Sequence, residues 1–166
     1  MILSRKDIMR LQEEEGLIEG AIDFEKQLTS QGIDLTVREV HELLEEGCID
    51  FDNTRRKLPK TRKLEWEGDK LFLKPGVYKI VTNEIFNLPL DVAALCQPRT
   101  SLLRSGAFVA TGVWDAGFYG RAEFILHVLN PHGLILMKNA RIAQLLFIKL
   151  SWKTDKPYRG IFYGQK

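Results

Sequence analysis

An all-β barrel or jelly roll opened by one short helix is the fold this sequence predicts, and three features predict it. From Gln31 onward apolar and polar residues alternate with the two-residue period of strands, with almost no helical periodicity. Short apolar runs are separated by Gly, Pro, Asn and Asp all the way to Leu150, the punctuation of a many-stranded β fold. No segment repeats and no linker divides the chain, whose 166 residues, 45% of them hydrophobic, suit one domain with its own core.

The helix comes first. Ser4 and Asp7 have the N-cap and N3 spacing of a capping box, Ile8 and Leu11 share a face, and Gly16 stands where a C-terminal cap belongs. Ile33, Leu35 and Val37 then alternate with Asp34, Thr36 and Arg38, which predicts a half-buried strand with Asp34 pointing away from the buried face. Glu45 to Lys63 reads as a long charged connection, with a short strand near Ile49 to Phe51. Lys63 to Trp66 and Lys70 to Lys74 flank a turn at Glu67-Gly68-Asp69, and Pro75-Gly76 leads into a strand from Val77 to Thr82. Ala93 to Gln97 is a further short strand, and Pro98 to Gly106 a single helical turn opened by hydroxyl residues and closed by glycine. Ala122, Phe124, Leu126 and Val128 form the core face of the strand that follows Gly120, and Leu134 to Met137 and Arg141 to Leu150 complete the set. Residues 1–150 are therefore expected to form one β domain, and 151–166 a tail of different character.

Composition excludes several functions. A net charge of +2 implies neither a nucleic-acid partner nor a membrane surface. The basic cluster Arg55, Arg56, Lys57, Lys60, Arg62 and Lys63 has no interleaved aromatics for base stacking and reads as a solvated loop. The opening residues carry no apolar signal region and no run is long enough to span a bilayer, so a cytoplasmic protein is expected. Cys48 and Cys96 lie far apart with no metal-ligand spacing and read as reduced structural thiols.

The stretch Thr111 to Gly120 draws the eye for chemistry. It sets Asp115 between the bulky Trp114 and a turn bounded by Gly117 and Gly120, at the mouth of a hairpin. Such an Asp is either a general base or a turn residue bonding its own backbone. Arg99, Thr100 and Ser101 bring a guanidinium, two hydroxyls and free N–H groups to the start of a turn, a way of holding phosphate without a glycine-rich loop, and Arg104 adds a second positive charge. Gln144, among the packing residues Ile142, Leu145 and Phe147, has a polar side chain either for a ligand or for a backbone group. After Ser151 the tail is polar yet rich in aromatics, a segment either frayed or folded over a ligand or a neighbouring subunit.

In this order and at these separations the segments resemble the superfamily of trimeric dUTPases and dCTP deaminases. Gln31-Gly-Ile-Asp34-Leu resembles its first motif, Pro98-Arg99-Thr100-Ser101-Leu its second, Gly112-Val-Trp-Asp115-Ala-Gly-Phe118-Tyr-Gly120 its third, Arg141-Ile-Ala-Gln144-Leu its fourth, and Phe162-Tyr-Gly-Gln165 its closing tail. The opening Met-Ile-Leu-Ser and closing Tyr-Gly-Gln are nearer the deaminase branch. The resemblance implies a distorted jelly roll, a homotrimer with sites between subunits, a deoxynucleoside triphosphate substrate and Mg²⁺. It also implies that Asp115 is the catalytic base, and that Arg99, Thr100, Ser101, Arg104 and Gln144 bind phosphates from an adjacent subunit. Phe118 would lie under the deoxyribose and exclude a 2′-OH. Phe162 and Gln165, with Arg159 nearby, would close over the base, and Asp34 would orient metal-bound waters or brace the site.

Departures from the family pattern choose between its two chemistries. Thr100 stands where Ser is usual, the segment from Arg104 to Asp115 is short, and Val109 lies where a side-chain amide is expected. Ile125 occupies the place of the glutamate that shuttles protons in the deaminases. Glu123 faces the same side of the strand but is displaced by about 6.8 Å, too far to substitute in place. The expectation is hydrolysis of dUTP to dUMP and diphosphate; the alternatives are a bifunctional deaminase, a hydrolase of another deoxynucleotide, and a nucleotide-sensing trimer without catalysis.

Overall fold

Ser4 caps the first helix as its sequence predicts. In the computed structural model, which describes residues 1–166, α1 (Arg5–Glu15) has the reciprocal Ser4/Asp7 capping box, and Gly16 ends it at φ 62°. Ile8 and Leu11 bury the helix against the sheet. A two-residue strand β1 (Ile18–Glu19) and a single turn α2 (Phe24–Gln27), neither foreshadowed by periodicity, lead into the first long strand.

That strand, β2 (Gly32–Leu43), is followed by β3 (Thr61–Lys63), β4 (Lys70–Leu73), β5 (Gly76–Asn87), β6 (Val92–Pro98), the turn α3 (Thr100–Arg104), β7 (Ala107–Ala110), β8 (Tyr119–Val128), β9 (Leu134–Met137) and β10 (Arg141–Lys149). The main sheet runs β6-β10-β2-β5-β8-β7, with β1 added on β5 and β3 on β2, while β4 and β9 form a separate pair. Its end strands β6 and β7 touch, so the sheet curls into a nearly closed barrel around one apolar core. Ala122, Phe124, Leu126 and Val128 supply the β8 side of that core as expected.

Three local readings are corrected. Asp34 does not point to solvent: β2 is buried on both faces from Gly32 to Val37, because α2 and the arginines of β6–α3 and β10 cover the side opposite the core. No strand forms at Ile49 to Phe51, where Phe51 is fully exposed and Asp50 and Asp52 instead hold Thr54 and Arg55 in a turn. The segments either side of Glu67-Gly68-Asp69 do not form a hairpin sheet, since β3 pairs with β2 and β4 with β9. Strand-forming patterns identify strands, but long-range packing decides which edge takes them.

Candidate functional site

The hairpin between β7 and β8 is fixed at both ends before Asp115 is reached. Trp114, buried, exchanges main-chain hydrogen bonds of 2.9 and 3.0 Å with Ala94 of β6. The turn after it is closed by Phe118 N–H donating to the Asp115 carbonyl at 3.0 Å, with Gly117 at φ 81°, a conformation glycine adopts without strain. The main chain thus closes the turn and the Asp115 side chain is not needed for it. Asp115 lies on the wall of a cavity of about 330 Å³ shared with Val113, Trp114, Phe118 and Tyr158. Arg121 and Glu123 of β8 line the same cavity.

The tail closes this cavity over its own hairpin. Tyr158 N–H donates to the Ala116 carbonyl at 3.1 Å, Gly164 N–H to Tyr119 at 2.7 Å, and Arg121 N–H to the Gln165 carbonyl at 2.7 Å. Pro157 packs on Gly117, where an added Cβ would stand 2.8 Å from the proline Cβ, and the carbonyls of Phe162 and Gln165 lie 3.2 and 3.1 Å from the corresponding point on Gly120. Phe162 and Gln165 therefore line the cavity beside Phe118, whose ring tilts against Tyr158 at 5.6 Å. Arg159 does not enter it; its guanidinium bonds the Gly117 and Tyr158 carbonyls and sits over Tyr163.

Asp34, Arg99, Thr100, Ser101 and Gln144 form a second cavity, of about 370 Å³, with no hydrophobic lining residue. Arg99 Nε lies 3.0 Å and Arg141 Nη1 3.4 Å from Asp34 Oδ2. Arg99 Nη1 also donates to the Arg141 carbonyl and Arg141 Nη1 to that of Lys26, so the two guanidiniums are held in place by main chain as well as by charge. Burial pushes the Asp34 carboxyl above its ordinary value, against the pull of Arg99, Arg141 and the Gln144 amide. Asp34 Oδ1, buried, has no hydrogen-bond partner. Thr100 and Ser101 open α3, where first-turn N–H groups lack an intrahelical acceptor. Gln144 faces Asp34 across β10–β2 and Gln97 across β10–β6. Arg104, exposed at the far end of α3, lines neither cavity. Apart from Arg104, the residues singled out from sequence therefore divide into two clusters within one chain: a largely apolar one around Asp115 and a polar one around Arg99.

A sequence model of dCTP deaminase-like proteins matches residues 2–150. The chain belongs to the dCTP deaminase-like family. A protein of Methanosarcina acetivorans named probable deoxyuridine 5′-triphosphate nucleotidohydrolase is 42% identical over 99% of this chain and 97% of its own length. One from Archaeoglobus fulgidus with the same name is 44% identical over 99% and 96%, and the deoxyuridine 5′-triphosphate nucleotidohydrolase of Methanocaldococcus jannaschii is 36% identical over 85% and 90%. Among solved structures, the 2′-deoxycytidine 5′-triphosphate deaminase of Agrobacterium tumefaciens superposes with a TM-score of 0.68 at 19% identity, over 88% of this chain. The chain spans 46% of that deaminase's length, and the likeness establishes the shared barrel fold.

Within this family fold, Arg121 and Tyr158 are cavity residues that the motifs do not mark, and Glu123 and Trp114 line the cavity beside them. Strand alternation carried the missing signal, because Arg121 and Glu123 occupy the non-core positions next to Gly120 on β8. Ile125, two residues further on the same side, does not reach the cavity.

Proposed function

We propose that the protein is a dUTP diphosphatase, converting dUTP and water to dUMP and diphosphate, and so limiting uracil in DNA while supplying dUMP. The observation that carries this reading is Asp115, set in a closable aromatic cavity in a chain whose full-length relatives bear the dUTP nucleotidohydrolase name. Phe118, Phe162 and Gln165 would enclose the base and sugar. Asp115 would accept the proton of a water whose oxygen bonds to the α-phosphorus as the bond to the β-bridging oxygen breaks, releasing diphosphate. Arg99, Thr100, Ser101 and Gln144 would hold the phosphate chain, and Arg104 would add long-range attraction from outside the cradle.

Because the phosphate cradle and the Asp115 cavity are separate in one chain, we assign the complete site to a homotrimer in which neighbouring subunits supply the two halves. The domain of residues 1–150 would build the ring and the tail 151–166 would close each site. A substrate drawn from the free nucleotide pool assigns the enzyme to the cytoplasm; no helix is long and apolar enough to cross a membrane.

The residues accommodate Mg²⁺ only as a companion of the triphosphate. No group of three or more His, Cys, Asp or Glu side chains is placed to hold a metal ion, and the free Asp34 Oδ1 fits a single contact through water. Bound to the phosphates, Mg²⁺ would offset their charge and fix their curl. The chain's own part is to bracket that charge with Arg99 and Arg141 and to keep water out by tail closure.

Deamination finds no acid at position 125, and Glu123 Oε2 is engaged by Lys79 Nζ at 3.0 Å. A product assay with dUTP, dCTP and dTTP tests both halves of the proposal. dUTP is expected to yield dUMP and diphosphate, dCTP no ammonia, and Asp115→Asn to lower dUTP turnover about 10²–10⁴-fold with dUMP binding retained. Ammonia from dCTP at a rate comparable to dUTP hydrolysis would make the enzyme bifunctional, and full turnover in Asp115→Asn would remove Asp115 from the chemistry.

A further inference from the structure

Arg121 and Glu123 have no part in the chemistry above, yet besides Asp115 they are the charged residues of its cavity. They stand on the face of β8 opposite Ala122 and Phe124, which are buried in the core. Arg121 Nη1 donates to the carbonyls of Thr82 and Asn83 at 2.9 and 2.5 Å. Those carbonyls are free for it because β5 slips register between Val81 and Ile85, leaving residues of the bulge outside the ladder. Glu123 Oε2 accepts from Lys79 Nζ, again from β5. Each head group is thus tied down by the neighbouring strand on one side, which leaves guanidinium N–H groups and Glu123 Oε1 for a ligand.

The other walls of the cavity are largely apolar and aromatic. A largely apolar cavity with a fixed donor beside a fixed acceptor orients a planar ring that offers the matching acceptor and donor. We propose that Arg121 and Glu123 are specificity-determining residues that read the base edge, Arg121 donating to the 4-oxo group of uracil and Glu123 Oε1 accepting from its N3–H. The inference rests on the nucleotide-hydrolase reading of the Asp115 site. Cytosine presents the reverse pattern at the same two positions, an amino group towards the guanidinium and a lone pair towards the carboxylate. Both hydrogen bonds would become clashes of like polarity, and a site built to hydrogen-bond one ligand rejects its mismatch far more strongly than an apolar pocket does. The pair would take the place of the side-chain amide missing at Val109, which is buried in the core.

The test compares kcat/KM for dUTP and dCTP hydrolysis in wild type, Glu123→Gln and Arg121→Gln. A glutamine amide turns to donate or accept, so the dUTP to dCTP ratio is expected to fall about tenfold or more in each variant, with the dCTP value held or raised. A merely structural role would lower both substrates alike; an unchanged ratio in both variants overturns the assignment. The same ratio is read as binding of the non-hydrolysable α,β-imido analogues of the two nucleotides. Wild-type protein that fails to hydrolyse dUTP would sink the diphosphatase reading, while the binding ratio still decides the role of the pair. Because Arg121 also braces the β5 bulge, Glu123→Gln, which breaks only a contact with Lys79, carries the decision if Arg121→Gln unfolds.

Discussion

Gly117→Ala should open the tail. At φ 81° an alanine is strained by about 1–2 kcal/mol. Its Cβ would also stand 2.8 Å from Pro157 Cβ and 3.2 Å from Leu90 Cδ2, so Leu90 and the tail cannot both keep their places. Leu90 lies two residues before β6, whereas the tail is held on the hairpin by three main-chain hydrogen bonds, at Tyr158, Gly164 and Arg121. At about 0.5–1.5 kcal/mol net apiece these contribute about 1.5–4.5 kcal/mol, against a backbone ordering cost of similar size or larger. Closure is therefore finely balanced, and displacing Pro157 with the adjacent Tyr158 bond should favour the open tail by about 1–3 kcal/mol, or about 5–150-fold. Trypsin cleavage after Lys153 and Arg159 should accelerate accordingly, and kcat/KM for dUTP should fall by the lost closed fraction. Gly16→Ala is the control, since it imposes the same kind of backbone strain at φ 62° with no atom within 4 Å of the added Cβ. If Gly117→Ala is as resistant to trypsin and as active as Gly16→Ala, the tail does not close through Pro157 and Gly117.

Two further outcomes follow from the division of the site and from its buried charge. If Asp115 and the phosphate cradle meet between subunits, equimolar mixing of inactive Asp115→Asn and Arg99→Gln chains after unfolding and refolding should restore about one quarter of wild-type activity, because about three quarters of the trimers are mixed and each has one intact site in three; a mixture as dead as its parents would place both halves in one subunit. Glu84, fully buried, accepts from Thr36 N–H at 3.0 Å, from Thr36 Oγ1 at 2.5 Å and from Gln27 Nε2 at 2.7 Å, yet burial outweighs these bonds and raises its carboxyl above the ordinary 4.5. The stability a raised group contributes is complete below the unfolded value and is lost as pH rises through the folded one. Urea unfolding of wild type relative to Glu84→Gln should accordingly favour wild type less with each step up from pH 4.5, and a difference constant across pH would show that Glu84 does not titrate between the two states.

How much of this was legible in the sequence depended on the range of the interactions involved. The α1 caps are satisfied within a few residues, so Ser4, Asp7 and Gly16 mark that helix without help from the rest of the chain. The core face of β8 is likewise written in alternation, because one face of the strand meets the barrel interior along its whole length. What failed was anything decided at a distance. Asp34 alternates like a solvent-facing residue, but α2 and two arginines from elsewhere in the chain cover it, and nothing local to Ile33–Asp34–Leu35 records their arrival. Lys63–Trp66 and Lys70–Lys74 read as strands flanking a hairpin turn, yet the first strand falls earlier, at Thr61–Lys63 on the edge of β2, and Lys70–Leu73 pairs with β9.

The same distinction separates the parts of the site. Asp115, Phe118, Phe162 and Gln165 were visible because the glycines that fix the hairpin and admit the tail lie within the motif itself, at Gly117 and Gly120. Arg121 and Glu123 follow that motif directly but gain their orientation from Thr82, Asn83 and Lys79, on a strand about forty residues earlier. Motif reading weighed Glu123 only as a displaced substitute for an acid at position 125 and set it aside on distance. In the folded chain the cavity ends before Ile125, and Glu123 reaches it together with Asp115. A carboxylate anchored by Lys79 on one oxygen is placed to receive a hydrogen bond, not to pass a proton between water and a leaving amine. The chain thus has no acid at position 125 and instead presents Arg121 and Glu123 to the cavity, the arrangement that the proposed reading of the base requires.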